Sequence, residues 1–121
     1  MPDKSLSLTE LNLKVRDAIR DHLPDTYWIR AETSDVRPNR NGHCYLEFIE
    51  KDAARQSIIA KARGIIWSGV FQMLSAYFEK ETGQPFTSGL NVLVRVSVEF
   101  HELYGYSLNV VDIDPSFTLG E

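Results

Sequence analysis

A set of basic and aromatic side chains recurs along this chain, in alternating segments and in the turns that join them. Guanidinium and ammonium groups attract phosphates, and flat rings offer faces on which unpaired bases stack, each stacked base contributing roughly 1–3 kcal/mol. This combination predicts a surface for single-stranded nucleic acid. The competing interpretation is that the tyrosines pack in a core or at an edge and that the cations are only solvated. The candidate residues are Arg30, Arg37, Arg40, His43, Tyr45, Lys61, Arg63, Tyr104 and Tyr106.

Five predicted β-strands position these side chains. In the clearest one, Val92, Val94 and Val96 alternate with longer or polar residues, and this two-residue period indicates a strand with one buried face. Asn41-Gly42 supplies the positive-φ positions that suit a hairpin between the first two strands. The predicted strands cover residues 26–37, 43–50, 57–67, 92–100 and 106–114.

The alternation also predicts which way the side chains point. In the second strand Cys44, Leu46 and Phe48 fall on one side, and the small residues Ala62 and Gly64 of the third strand indicate a bent strand packed closely at a barrel corner. The opposite side of the second strand carries His43, Tyr45, Glu47 and Ile49.

Two helices complete the predicted elements. Ser7 and Glu10 have the spacing of a capping box, and apolar residues then recur at helical spacing, which predicts a helix over residues 8–23. A second helix is predicted over residues 68–82, with Gly83 in the position of a C-terminal cap. This second helix is expected to plug one end of a barrel.

The order of these elements predicts a mainly β fold: a five-stranded OB-fold Greek-key barrel with an N-terminal helix and a helix between strands 3 and 4. In such barrels the face of strands 2 and 3 and the loops joining strands 1–2 and 4–5 form the ligand groove. Residues 7–114 are therefore expected to form the domain, residues 1–6 a flexible tail and residues 115–121 a linker.

Composition sets limits on function. The chain has 121 residues and a net charge of −4, which argues against a dedicated nucleic-acid binder but permits a basic stripe on an acidic body. No apolar run approaches the length of a membrane helix and no signal peptide precedes the domain, so a cytoplasmic location is expected. The single cysteine, Cys44, is interpreted as a small buried hydrophobe.

No catalytic, metal or cofactor signature is apparent in the sequence. His22, His43 and His101 lie far apart and on different predicted elements, so neither a shared metal site nor a catalytic group is expected in this segment, and no cofactor is expected. Trp28 and Trp67 are interpreted as packing residues rather than stacking platforms.

Several medium-length motifs stand in an order shared with a known family. They are residues 8–12 (LTELN), 28–34 (WIRAETS), 42–48 (GHCYLEF), 63–67 (RGIIW), 89–95 (GLNVLVR) and 103–108 (LYGYSL). With these motifs the chain resembles, from Leu6 to Gly120, the N-terminal region of the exodeoxyribonuclease VII large subunit. Each motif alone would be a weak match, whereas their common order makes the resemblance specific.

The resemblance implies a division of labour in a longer parent protein. The parent would be a hydrolase that cleaves the phosphodiester bonds of single-stranded DNA, and this segment would bind the DNA without cutting it. Its expected partners are single-stranded DNA and a downstream catalytic domain missing from this chain, which degrades the strand to oligonucleotides. Small subunits of the complex are expected to bind outside this domain, and no membrane partner is expected.

Two alternatives from other functional classes remain open. The barrel could dock on another protein or on its own catalytic domain, with an acidic surface that rejects DNA. It could equally serve as an oligomerisation module that uses exposed tyrosine and isoleucine side chains. Neither alternative gives the domain any DNA affinity of its own.

Overall fold

The computed structural model describes residues 4–120 and begins with helix α1, Leu8–His22. The predicted capping box is present, since the Ser7 hydroxyl accepts from the Glu10 amide at 3.1 Å and the Glu10 carboxylate accepts from the Ser7 amide at 2.8 Å. The helix has no fully buried residue. It is attached to the barrel by the Asn12 side chain, which donates to the Glu102 carbonyl at 2.9 Å, and by the Arg16–Glu102 ion pair at 3.5 Å.

Five strands form a closed barrel in the order β1-β2-β3-β5-β4, with β4 returning to β1. All neighbours are antiparallel except β3 and β5, which run parallel through Gly64 opposite Leu108 and Ile65 opposite Asn109. This arrangement confirms the predicted five-stranded OB-fold Greek-key barrel. The strands are β1 (Thr26–Pro38), β2 (Cys44–Lys51), β3 (Ile58–Ile66), β4 (Asn91–His101) and β5 (Gly105–Ile113).

The core fills the barrel with the inward face of each strand. Val92, Val94 and Val96 are at most 1% exposed, as their alternation predicts. Ile49 departs from the pattern: it lies on the outward side of β2 yet is only 6% exposed. Its neighbours across the sheet are Glu32 and Lys61, whose long side chains flank it on both sides.

Gly64 allows β2 and β3 to approach each other closely. A Cβ at this position would lie 2.7 Å from the Phe48 ring and 3.2 Å from Leu46, two side chains that are almost fully buried. The position agrees with the close packing predicted from the small residues of this strand. A side chain there would displace the core.

Helix α2, Ser68–Thr82, covers one end of the barrel. Leu74 and Phe78 are buried beneath it, and the Phe78 ring meets Phe86 edge-on at 5.6 Å. The helix ends at Gly83, whose φ of +74° is the left-handed conformation expected of a C-terminal cap. The predicted bounds of α2 and its position at a barrel end are both confirmed.

The region after the barrel contains a short third helix, α3, Pro115–Leu119, within the stretch predicted as a linker. It packs against β4 and α2 and begins where the Asp114 carboxylate accepts from the Ser116 amide at 3.0 Å. Of the predicted tail, residues 1–3 lie outside the described residues. Within residues 4–120, none of the three helices combines the length and apolar character needed to cross a membrane.

Candidate nucleic-acid interface

The outward faces of β2 and β3 form a continuous strip, named here the β2–β3 strip. Tyr45 lies opposite Ile65, and Glu47 lies opposite Arg63. Each row of the strip therefore contains one side chain from β2 and one from β3. All of its members are partly or fully exposed. The strip consists of His43, Tyr45, Glu47, Lys61, Arg63, Ile65 and Trp67.

An aromatic cluster occupies the end of the strip nearest α2. The His43 ring meets Trp67 edge-on at 4.6 Å and Tyr45 at 6.4 Å. His43 is oriented because its Nδ1 accepts from the Ser68 amide at the start of α2, at 2.9 Å. Trp67 is 49% exposed, so about half of its surface faces solvent and does not pack as predicted. Its outward position follows the same alternation as Arg63 and Ile65.

The end of β1 and the turn that follows it add two arginines at this end. Arg37 lies opposite Tyr45 and forms an exposed ion pair with Asp35 at 3.2 Å. Arg40 lies within the turn, is exposed, and forms no ion pair among residues 4–120. The turn packs on α2, since a Cβ on Gly42 would lie 2.8 Å from the Ser68 Cβ. The backbone therefore fixes this rim relative to the strip.

The β4–β5 turn adjoins the other half of the strip and is held there by Arg63. Its guanidinium Nη2 donates to the carbonyl of Tyr104 and to that of Tyr106, the latter at 3.2 Å. The Tyr104 side chain is 66% exposed and Tyr106 is 46% exposed. Lys61 pairs with Glu47 at 3.8 Å across the strands. Both cations therefore have partners, and among residues 4–120 the Nη1 and Nε donors of Arg63 form no hydrogen bond.

Arg30 is the predicted site residue that the fold places off the strip. It lies on the outer face of β1 opposite Leu93 of β4, and it is exposed. Its neighbour on that face, Trp28, is 48% exposed, with the Arg95 guanidinium carbon 6.0 Å from the indole centre. Trp28 is therefore not a core packing residue either. The fold separates Arg30 from the aromatic cluster around Tyr45.

Side chains of the metal-ligating types are dispersed among the described residues. Between residues 4 and 120 no three His, Cys, Asp or Glu side chains gather into a group that could hold a metal ion. The Cys44 thiol is fully buried, and this burial raises its pKa to about 11, so it stays protonated at neutral pH. These features agree with the interpretation of Cys44 as a small core residue.

Comparison with known proteins gives one matching family and two similar full-length relatives. A family model described as an OB-fold nucleic acid binding domain matches residues 6–114. The chain is 36% identical to the exodeoxyribonuclease 7 large subunit of Deinococcus radiodurans over 99% of its length, and 30% identical to that of Oceanobacillus iheyensis over 95%. It spans only 29% and 22% of those two proteins. The predicted resemblance is confirmed.

Solved structures also align with the barrel, among them a domain of a PriB protein. The N-terminal domain of the PriB protein from Thermoanaerobacter tencongensis aligns with 75% of this chain and 94% of its own, with 11% sequence identity and a TM-score of 0.46. The assignment of the fold rests on the strand order and on the family model.

Proposed function

Because the chain belongs to the OB-fold nucleic acid binding domain family, we propose that it binds single-stranded DNA along the β2–β3 strip. The main observation behind the proposal is that an aromatic cluster and two cations lie on one outward face of the barrel. Two turns border this face as rims. Rings suited to base stacking lie beside donors suited to phosphates, as single-strand binding requires. The rims are the β1–β2 turn with Arg40 and the β4–β5 turn with Tyr104.

The ion pairs on the strip are compatible with this function. The Arg37–Asp35 pair is exposed and the Lys61–Glu47 pair is partly exposed, and surface pairs contribute only about 0–1 kcal/mol. A phosphate can therefore replace either carboxylate at small cost. Arg63 keeps donors available for phosphate while its Nη2 holds the turn. The strip is thus a moderate rather than a strong anion site.

The wider role follows from the two curated relatives. They are named as exodeoxyribonuclease 7 large subunits, and the chain matches less than a third of each. The proposal extends to a domain that presents single-stranded DNA to a nuclease domain elsewhere in the parent protein, which degrades it to oligonucleotides. Within that arrangement this segment binds and does not cut, needs no cofactor, and works in the cytoplasm beside small subunits that bind elsewhere.

The test is fluorescence anisotropy with a labelled single strand of about 15 nucleotides, close to the upper site size of one OB-fold. Arg40→Ala and Tyr104→Ala should each weaken binding, Tyr104→Ala by roughly 5- to 100-fold if it stacks on a base. Their controls, Lys14→Ala on α1 and Tyr77→Ala on α2, remove a positive charge and a phenol ring from exposed positions off the strip and should change nothing.

Duplex DNA serves as the competitor in the same experiment. Preference for the single strand, lost only in the strip variants, would support the proposal. Absence of binding to any single strand at low salt would overturn it. Equal effects of the strip variants and their α1 and α2 controls would show that the DNA binds, but not along this strip.

The alternative of a docking or oligomerisation module also has an observation in its favour. Several large apolar side chains on the helices are exposed, among them Leu8 (73%) and Met73 (75%). Light scattering tests oligomerisation, because an oligomerisation module shows a mass that rises with concentration above that of the 13.8 kDa monomer. Native gels with and without the rest of the protein test docking.

A further inference from the structure

The end of the barrel opposite α2 is open and contains a cavity of about 400 Å³. Its floor is apolar and consists of core side chains, among them Phe48, Val96 and Leu108. The volume falls within the range of about 300–1,000 Å³ that is usual for small-ligand sites. The cavity opens where β3 and β5 diverge, since their ladder begins only at Gly64 and leaves Ala62 unpaired with β5.

The wall of the cavity carries flat rings and polar groups that converge on its opening. Tyr27 of β1 and Tyr106 of β5 both line it. The Glu50 carboxylate lies at the same opening and is exposed. A planar ligand with an apolar face and polar edges fits such walls, because rings can stack on its face while hydroxyl and carboxylate oxygens accept hydrogen bonds from its edge.

Two cations stand at the opening. Arg30 of β1 and Lys61 of β3 both line the cavity and both are exposed. Among residues 4–120 Arg30 has no ion-pair partner, and Lys61 has only the half-buried Glu47 at 3.8 Å. With Glu50 as the one carboxylate at the same opening, the two cations still leave a positive balance, which favours a ligand that joins a flat ring to anionic groups. A nucleotide within a DNA strand has this chemistry.

We infer that the cavity receives one unpaired base of a bound single strand, with the flanking phosphates on Arg30 and Lys61. The inference rests on the proposed function, since Lys61 belongs to the β2–β3 strip and a strand leaving the strip passes this opening. It also gives Arg30, which lies off the strip, a role in the same site. Inserting a base costs stacking with its neighbours, a few kcal/mol in duplex DNA and least for a strand that is already single.

The experiment uses the 121-residue chain and single strands of about 15 nucleotides that carry 2-aminopurine at the first, central or last position. This base is dim when stacked in a strand and brightens when it is held apart from other bases. Ala60→Leu and Ala62→Leu fill the cavity without changing any charge. Ala60 is exposed, so its variant folds even if the half-buried Ala62→Leu does not. Ala76→Leu, at an exposed position of α2, is the matched control.

The inference is supported if 2-aminopurine brightens at one or more positions when the strand binds the unmodified chain. The cavity-filling variants should abolish this brightening, and Ala76→Leu should retain it. Affinity should fall by roughly 5- to 100-fold in the same variants, the loss expected for one stacked base. If the strand binds but no position brightens, or if Ala60→Leu leaves the brightening intact, the inference is overturned while the proposed function stands. If no single strand binds, both are overturned.

Discussion

Gly64 shows how a single missing methyl group permits the packing of the barrel. The Cβ of Gly64→Ala would meet the buried Phe48 ring at 2.7 Å, and Phe48 cannot move without disturbing the core. We expect this overpacking to reduce the free energy of unfolding by about 1–3 kcal/mol. Urea denaturation measures the change as a lower midpoint at constant slope.

The matched control is Gly69→Ala in the first turn of α2. A Cβ there meets nothing within 4 Å, and alanine favours a helix over glycine by roughly 0.5–1 kcal/mol. This variant should therefore be neutral or slightly more stable. Similar losses in both variants would show that the cost at position 64 is not steric.

Individual candidate residues differ in how far the sequence could place them. The outward position of Tyr45 and Arg63 follows from local alternation, and the same alternation places Trp67 on the outward face as well. Arg30 is different. Its separation from the β2–β3 strip depends on β1 pairing with β4 beyond the end of β2, which no local pattern encodes.

Helix α1 depends on two carboxylates because it buries none of its side chains completely. Hydrogen bonds from Ser7 lower the pKa of Glu10, and the pKa of Glu102 is lowered by its own backbone amide, with smaller contributions from His101 and Arg16. Both carboxylates are better acceptors or ion-pair partners when charged. Each carboxylate stabilises the folded protein fully at pH values above the ordinary glutamate pKa of about 4.3. This stabilisation is lost as the pH falls through the lowered pKa of the folded protein.

We therefore expect α1 to loosen in acid before the barrel does. Amide hydrogen exchange between pH 6 and pH 3 should show protection lost first in α1 and later in β1 to β5. In Glu10→Gln and Glu102→Gln the protection of α1 should change less with pH, because neither amide titrates. Simultaneous loss of protection in α1 and the strands would contradict this prediction.

Most elements could be predicted from local chemistry, and α3 shows the limit. The capping box marked α1, the Gly83 cap marked the end of α2, and alternation marked every strand. Asp114-Pro115-Ser116 also contains helix-start signals, an N-cap carboxylate followed by proline. A helix of five residues is not stable by itself, so its formation depends on packing against β4 and α2.

The charge of the whole molecule limits how it can hold DNA. A net charge of −4 repels the strand, and several cations near the strip already have carboxylate or carbonyl partners. We expect only about two to four phosphates to be neutralised, so log K should fall with log salt with a slope of roughly −1.5 to −3. Anisotropy titrations between 25 and 200 mM salt measure this slope.

A slope near zero would show that phosphate contacts contribute nothing, and the aromatic cluster alone would then hold the strand. A slope steeper than about −5 would require cations outside the strip and the cavity opening. Lys14→Ala on α1 is again the control, since removing a charge from an exposed position off the strip should leave the slope unchanged.

The return of β4 to β1 also determines when the barrel can form. β1 leaves the ribosome before the other strands, but one of its two neighbours, β4, begins about 65 residues after the start of β1. β3 likewise cannot complete its pairing until β5 has been made. Until then both outer edges of the β1–β2–β3 sheet remain unpaired. Long-range pairing of this kind makes folding slow, and a nascent chain has open edges that can pair with other chains. The exposure ends once residue 113, the last of β5, has left the ribosome and β4 and β5 can pair with the sheet.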